Sequence, residues 1–260
     1  YCFYYKIHAS LLDYAIFNYM VSIYMKKLII GATGSIGSAV SRNIHKNGGK
    51  THLVGRNEEE LSSLAEELDS TYTVADVLDE NFCNHIINDL GEEDIDGLAF
   101  CVGSIDLKPL KLTKKSDYMQ CFNLNLISAT EIIRACHEKL KKNKGSIVLF
   151  STVAARKGFI NHSIISSAKS AVEGLTVALA AEFAPNVRVN CIAPSLSKSK
   201  MATPMLKNEK MADSIAKMHA LKRIGDGEDF SSLVNFLLSK NSSWITGQII
   251  GVDGGRSSVA

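Results

Sequence analysis

Proline, tryptophan and an excess of charge of either sign are all scarce in this chain of 260 residues. There are 4 prolines and 1 tryptophan, and 29 Lys and Arg residues against 27 Asp and Glu residues leave a formal net charge of +2. This near-neutral balance gives no support to a protein that binds nucleic acid or an anionic membrane surface. Because 46% of the residues are apolar, extensive disorder is also excluded.

Paired cysteines are absent as well. The 6 cysteines are scattered from Cys2 to Cys191, and none forms a CxxC pair. Such spacing favours reduced, buried thiols over a zinc site or a disulfide framework. We therefore expect no metal site and a cytoplasmic location.

Tyrosine is nearly absent after the first 24 residues. Of 8 tyrosines, only Tyr72 and Tyr118 lie beyond them. Residues 1–24 contain no run of about 18 uncharged apolar residues, so a membrane span is not expected. Met25 directly precedes a strong strand pattern. We interpret residues 1–24 as an atypical extension and 25–260 as the domain, with an interfacial amphipathic anchor as the alternative for the extension.

From Met25 onward, short apolar runs alternate with longer amphipathic segments. This alternation predicts parallel strands with crossover helices, and continuous apolar runs are typical of strands buried on both faces. The predicted strands are Lys27–Ile30, Thr51–Val54, Tyr72–Ala75, Gly97–Cys101, Ser146–Phe150, Val187–Ile192 and Gln248–Val252. The predicted helices are 36–47, 58–68, 80–90, 116–142, 163–184, 203–218 and 227–239. We expect an α/β fold with a single-domain, doubly wound parallel sheet of about seven strands.

A glycine-rich segment, GATGSIG, lies between the first predicted strand and the first predicted helix. Its first glycine permits a tight turn, its second lets the backbone approach a pyrophosphate, and its third lets the helix pack closely on the sheet. The helix N-terminus then offers N–H groups to phosphates. A simple tight turn is the alternative, but this placement favours the dinucleotide loop of a Rossmann-type domain. The predicted contacts are Gly31, Thr33, Gly34, Ser35, Ile36 and Gly37.

The ends of the next two strands bear on which dinucleotide binds. NAD-selective sites place an acidic residue near the end of the second strand, whereas this chain has Gly55 and then Arg56. A guanidinium suits a 2′-phosphate, so we predict NADP rather than NAD. Asp76, followed by Val77, would accept a hydrogen bond from the adenine amino group. The alternative for Asp76 is a helix cap before Leu78.

Several motifs resemble the short-chain dehydrogenase/reductase family, from about Lys26 to Gly255. The most specific are LKRIGDGEDF and WITGQIIGVDGG near the C-terminus, and RVNCIAPS resembles the family's RVNxIxPG. The resemblance implies a hydride-transfer enzyme acting on a small carbonyl or alcohol. It also implies a homo-oligomer, a dimer or tetramer, built on the helices 116–142 and 163–184.

The resemblance also implies further cofactor contacts. The segment FCVG takes the place of the family's NNAG, residues after the proline of RVNCIAPS usually contact the nicotinamide, and a serine lies where the family often has threonine. Leu196–Met218 resembles the substrate lid, and its methionines offer adaptable apolar surface, although ordinary helix packing would explain them equally well. The added contacts are Cys101, Val102, Gly103, Lys169, Pro194, Ser195 and Ser199.

Of the four catalytic positions that the resemblance implies, one has lost its function. Asn125 matches the family's asparagine and Lys169 its lysine, while the serine position falls on Thr152, with Ser151 beside it. The tyrosine position, four residues before the lysine, is Ile165. In the family this tyrosine is the general acid/base, and an isoleucine cannot transfer a proton.

His162 is the neighbouring candidate for that role. It precedes Lys169 by seven residues, so the two would share a helix face if the helix began early enough. An imidazole titrates near neutrality and is a competent acid/base. Two interpretations therefore stay open: an NADP(H)-dependent oxidoreductase with a non-standard acid/base, or a weak or inactive NADP(H)-binding protein.

Overall fold

The computed structural model describes residues 25–259, so the predicted extension lies outside the described residues. All seven strands pair in parallel in the order β3-β2-β1-β4-β5-β6-β7. The strands are β1 (Lys26–Ile30), β2 (Lys50–Gly55), β3 (Thr71–Val74), β4 (Ile95–Phe100), β5 (Ser146–Phe150), β6 (Arg188–Pro194) and β7 (Ile249–Val252). The α-helices are α1 (Ser35–Lys46), α2 (Glu58–Glu67), α3 (Phe82–Leu90), α4 (Lys115–Phe122), α5 (Ser128–Lys142), α6 (Ser163–Phe183), α7 (Thr203–Leu206), α8 (Glu209–Lys217) and α9 (Glu228–Leu238).

This topology confirms the predicted doubly wound sheet. The chain runs outward from β1 to β3 and then crosses to β4, so the strand order reverses between β1 and β4. In open parallel sheets, ligands bind in the crevice at the carboxyl ends of the strands beside such a reversal. The glycine-rich loop after β1 and the segment after β4 both lie at this edge.

Apolar layers cover both faces of the sheet. Ile147 and Val148 are neighbours in β5, yet they belong to opposite layers, one facing α5 and α6 and the other facing α1 and α9. Because the Cβ atoms of a strand alternate between faces, a strand buried on both sides needs a continuous apolar run. This is the physical reason that the strand predictions succeeded.

Two of the predicted helices are interrupted. The segment 116–142 contains a π-helical turn, Asn123–Ile127, between α4 and α5. The prediction of one helix over 203–218 is wrong, since α7 ends at Leu206 and α8 begins at Glu209. Between them, the side chain of Asn208 accepts a hydrogen bond from the Met211 N–H at 3.2 Å, which caps a new helix.

Helix α6 is long and apolar enough, by length and composition alone, to cross a membrane. In the structure it instead packs within the fold. Val172 and Ala180 are buried in the layer against the sheet, while Ile164 and Ile165 are buried together with Cys121 of α4. Its apolar composition is therefore explained by burial on two sides.

Candidate active site

A cavity of about 400 Å³ opens at the carboxyl ends of the central strands. It is lined by the glycine-rich loop, the ends of β4, β5 and β6, the start of α6 and the lid that follows β6. The structure brings these predicted residues together around it: Gly34, Ser35, Ile36, Cys101, Val102, Gly103, Thr152, His162, Lys169, Pro194, Ser195 and Ser199. Predicted residues that do not line it are Gly31, Thr33, Gly37, Arg56, Asp76, Val77 and Asn125.

The glycine-rich loop has the geometry of a phosphate cradle. Gly31 has φ +80°, a conformation that favours glycine, and a Cβ atom on Gly37 would lie 2.2 Å from the Gly31 carbonyl oxygen. Gly34 precedes α1, and no side chain caps the helix there. The first N–H groups of α1 are therefore available to an anion. Ser35 Oγ donates to the Lys198 carbonyl at 2.8 Å, which ties the loop to the lid.

The end of β2 presents a cation. The side chain of Arg56 is 74% exposed, and its Nη1 lies 3.4 Å from Asp76 Oδ2. Asp76 Oδ1 accepts from the Leu78 N–H at 3.0 Å, but α3 begins only at Phe82. The alternative of a helix cap at Asp76 is thus wrong, because its carboxylate closes a local turn. Val77 is buried in the core.

Lys169 is a buried cation that lines the cavity. Its Nζ donates to the Phe150 carbonyl at 2.8 Å, and burial lowers its pKa to about 8. A Cβ atom on Gly103 would lie 3.3 Å from both Lys169 Nζ and Asn125 Oδ1. Glycine at this position therefore keeps open the space between the ammonium group and the amide.

Asn125 faces the same space from the π-helical turn. Its Nδ2 donates to the Cys121 carbonyl at 2.8 Å, while its Oδ1 is buried and has no hydrogen-bond partner among the described residues. A buried acceptor without a partner is costly unless a ligand supplies a donor. The ammonium group, this acceptor and the phosphate cradle together fit the nicotinamide ribose and pyrophosphate of a dinucleotide.

The two neighbouring hydroxyls at the end of β5 differ in their contacts. Ser151 is buried and its Oγ donates to Glu173 Oε1 at 2.9 Å. Thr152 Oγ1 makes only long contacts, to the Pro194 carbonyl at 3.4 Å and from the Ala154 N–H at 3.3 Å. Thr152 therefore has the hydroxyl that is freer to contact a substrate, as the sequence alignment favours.

His162 lies immediately before α6, so the condition that the helix include it is not met. It nevertheless lines the same cavity as Lys169 and Ile165. Its Nδ1 lies 2.7 Å from the Ile160 carbonyl oxygen. Because a carbonyl only accepts, Nδ1 carries the proton and Nε2 is left for another partner.

The tyrosines of the described residues do not contribute to the cavity. Neither Tyr72 nor Tyr118, which are the tyrosines of residues 25–259, is among its lining residues. Tyr118 donates instead to Ser163 Oγ at 3.1 Å, and Tyr72 lies on β3.

Part of the cavity lining was not predicted from the sequence. Arg256 and Phe159 both line the cavity, and the guanidinium carbon of Arg256 lies 4.9 Å from the centre of the Phe159 ring. The available signal was the position of Arg256 directly after the diglycine that closes the C-terminal motif. Three of the four methionines of the predicted lid, Met201, Met205 and Met211, line the cavity. The fourth, Met218, does not.

Comparisons with known proteins identify the family of this chain. The sequence profile described as enoyl-(acyl carrier protein) reductase matches residues 31–257. A tropinone reductase homolog from Arabidopsis thaliana is 34% identical, over 88% of this chain and 90% of the relative. The 3-oxoacyl-(acyl-carrier-protein) reductase FabG of Rickettsia prowazekii is 33% identical, over 88% of this chain and 95% of its own length.

Solved structures give the same result. A short-chain type dehydrogenase/reductase from Mycobacterium ulcerans superposes with a TM-score of 0.83 at 25% identity, and the match covers 90% of each chain. The profile and the relatives extend over most of the chain, and their region includes the glycine-rich loop and the cavity. This chain belongs to the short-chain dehydrogenase/reductase family of NAD(P)-dependent oxidoreductases.

Proposed function

We propose that the chain is an NADP(H)-dependent oxidoreductase that interconverts a small carbonyl compound and its alcohol, with His162 as the acid/base in place of the family's tyrosine. The observation that carries this proposal is the shared cavity, in which Lys169, Thr152, His162 and Ile165 meet beyond the phosphate cradle. Ile165 occupies the tyrosine position and offers only a buried apolar side chain there.

NADPH, when bound, supplies the hydride that adds to the carbonyl carbon. The Lys169 ammonium group would hold the nicotinamide ribose, with the buried Asn125 amide oxygen as an acceptor near that group, and the Thr152 hydroxyl would donate to the substrate oxygen. As the C=O double bond becomes a single bond, protonated His162 gives the proton on Nε2 to that oxygen. In the reverse direction, neutral His162 accepts the alcohol proton at the same nitrogen.

Arg56 supports NADP(H) over NAD(H). Its guanidinium is mostly exposed at the end of β2 and makes only a long contact with Asp76. A weak exposed ion pair costs little to rearrange, so a 2′-phosphate can compete for the guanidinium.

A homo-oligomer in the cytoplasm remains part of the proposal. Met119, Ile127 and Val177 are exposed apolar residues on the two helical segments that the family uses for association. The described cysteines are free thiols, as expected in a reducing compartment.

A second candidate function rests on Ile165. An apolar side chain at the tyrosine position, 5% exposed, is compatible with a protein that binds NADP(H) without turnover. This candidate retains the cradle and Lys169 but assigns no chemistry to His162.

Substitution of His162 separates the two candidates. For His162→Ala we expect kcat for NADPH oxidation, over a panel of small aldehydes and ketones, to fall about 10²–10⁴-fold with NADPH affinity retained. The matched control is His137→Ala on α5, where the ring stacks on Phe183 away from the cavity.

The measurements are steady-state kinetics and NADPH binding followed by fluorescence. Native protein that binds NADPH but oxidises none of it across the panel would establish the second candidate. Equal activity of His162→Ala and native protein would remove His162 from the mechanism.

A further inference from the structure

The formal charge around the cavity is of one sign. None of its lining residues is Asp or Glu, and its charged side chains are those of Lys169 and Arg256. His162 adds a third positive charge when it is protonated. A cavity of this composition favours an anionic occupant, because an anion would be drawn in and would meet no like charge.

Arg256 lies at the end of the cavity that holds His162. Its guanidinium carbon is 4.9 Å from the centre of the Phe159 ring, and the centre of the His162 ring is 5.3 Å from that same point. The guanidinium and the imidazole therefore both lie next to one aromatic ring. A substrate that reaches His162 with one end can contact Arg256 with another.

The guanidinium has little to neutralise it. Its hydrogen bond runs from Nη2 to the Met218 sulfur at 3.5 Å, a weak acceptor, and no carboxylate of residues 25–259 forms an ion pair with it. Asp253, the nearby acid, already accepts from the Gly255 N–H at 2.9 Å and from the Ser257 N–H at 2.9 Å. Burial lowers the pKa of Arg256, which Asp253 only partly offsets, as expected for a cation short of a counter-ion.

The position of this cation is nonetheless fixed. Lys157 Nζ donates to the Arg256 carbonyl at 2.9 Å, and the Phe159 ring supports the guanidinium plane by a cation–π contact. A positioned guanidinium without a counter-ion is arranged for two parallel hydrogen bonds to a carboxylate.

We propose that Arg256 binds the carboxylate of a small oxo- or hydroxycarboxylic acid, whose carbonyl or hydroxyl group then faces His162. This assignment rests on the proposed function, and it names the substrate class of that site. The cavity must also hold the nicotinamide, so the room beside Arg256 suits a small molecule. The apolar lid residues Met205, Met211 and Ile215 cover the carbon skeleton.

Binding in the presence of saturating NADP⁺ tests the proposal without turnover of the ketone. The probes are pyruvate, acetoacetate and 4-oxopentanoate, each compared by calorimetry with its methyl ester. We expect at least one acid to bind about tenfold or more tightly than its ester, and Arg256→Gln to abolish that difference. The control is Arg42→Gln, which removes an exposed guanidinium paired with Glu67 on the neighbouring helix.

Two further readouts keep the test decisive. NADPH affinity should be unchanged in Arg256→Gln, so a loss of NADPH affinity in place of acid affinity would overturn the proposal by assigning Arg256 to the cofactor. Arg256→Lys keeps the charge without the planar fork of donors and should bind the acids with intermediate affinity. This variant tests the proposal if Arg256→Gln does not fold.

Other outcomes also overturn it: equal affinity for acid and ester in native protein, or binding of inorganic phosphate with no binding of any acid. Failure of the proposed function looks different. Arg256-dependent binding of acids without any NADPH oxidation would leave this proposal standing and remove the activity. Oxidation of NADPH by neutral ketones at the same rate in native protein and in Arg256→Gln would support the activity and overturn the role of Arg256.

Discussion

At the scale of single residues, we predict that Lys169 makes cofactor binding depend on pH. Burial lowers its pKa to about 8, and a dinucleotide with its ribose beside Lys169 would favour the ammonium form. The free protein therefore loses the binding-competent charge as the pH rises through about 8. We expect NADPH affinity to be full below this pH and to weaken above it, as measured by fluorescence titration from about pH 6.5 to 9.5.

Lys169→Met provides the comparison. It should bind NADPH weakly at every pH, with no inflection near pH 8. An inflection of the same size in the variant would show that another group is responsible.

Single residues also mark how far the sequence could be interpreted. Lys169, Thr152 and Ile165 could be placed because each lies in a motif of fixed spacing. Arg256 could not, since its proposed role depends on contact with Phe159, almost a hundred residues earlier, and on the lack of an ion pair with any carboxylate of residues 25–259. A residue that owes its role to contacts made by folding carries no local pattern.

At the scale of secondary-structure elements, Gly37 controls how closely α1 approaches β1. A Cβ atom there would lie 2.2 Å from a backbone oxygen, so loop or helix must move. We expect Gly37→Ala to lower the free energy of unfolding by about 1–3 kcal/mol and to weaken NADPH binding by displacing the cradle. Urea denaturation and NADPH titration measure the two effects.

Gly158→Ala is the matched control for stability, because a Cβ atom there would have no atom within 4 Å. Its free energy of unfolding should differ little from that of native protein. Similar losses in both variants would mean that the close approach at Gly37 is not the cause.

Element boundaries show a similar division between what was predictable and what was not. Strands were predicted well because burial on both faces demands a continuous apolar run. The break between α7 and α8 was not, because Asn208 caps a new helix inside a segment that was predicted as one continuous helix. Local hydrogen-bond competition overrode the apolar pattern there.

At the scale of the whole molecule, cofactor binding should stabilise the fold in a selective way. A ligand that binds only the native state at about 100 times its Kd adds about 2.7 kcal/mol, which is roughly 5–10 °C in Tm for a domain of this size. We expect NADPH to raise Tm by more than the same concentration of NADH, because Arg56 can contact the 2′-phosphate.

Arg56→Glu tests the source of that preference. The carboxylate should repel the 2′-phosphate and accept from the ribose hydroxyl of NADH, so the order of the two shifts should reverse in thermal melts. If the order stays the same in Arg56→Glu, selectivity for the phosphate lies elsewhere.

The whole fold explains why distant sequence segments form one site. All seven strands point the same way, so every segment that follows a strand emerges at the same edge of the sheet. For this reason the alternation of strands and helices was sufficient to predict the fold. It located the site no more closely than this one edge of the sheet. The orientation of side chains across the cavity depends on loops that alternation does not determine.

The π-helical turn at Asn123–Ile127 places two independent demands on one side chain. The Asn125 amide donates to the Cys121 carbonyl in the preceding helix, and in the proposed site the same side chain supplies an acceptor near Lys169. Aspartate has two acceptor oxygens and no donor, so it would leave the Cys121 carbonyl without this hydrogen bond. Leucine would supply neither the donor nor the acceptor. Glutamine has both groups, but on a stem one carbon longer. Asparagine is thus the side chain that can donate to this carbonyl with one end and supply the proposed acceptor with the other, so a substitution at this position would change the backbone contact and the proposed site together.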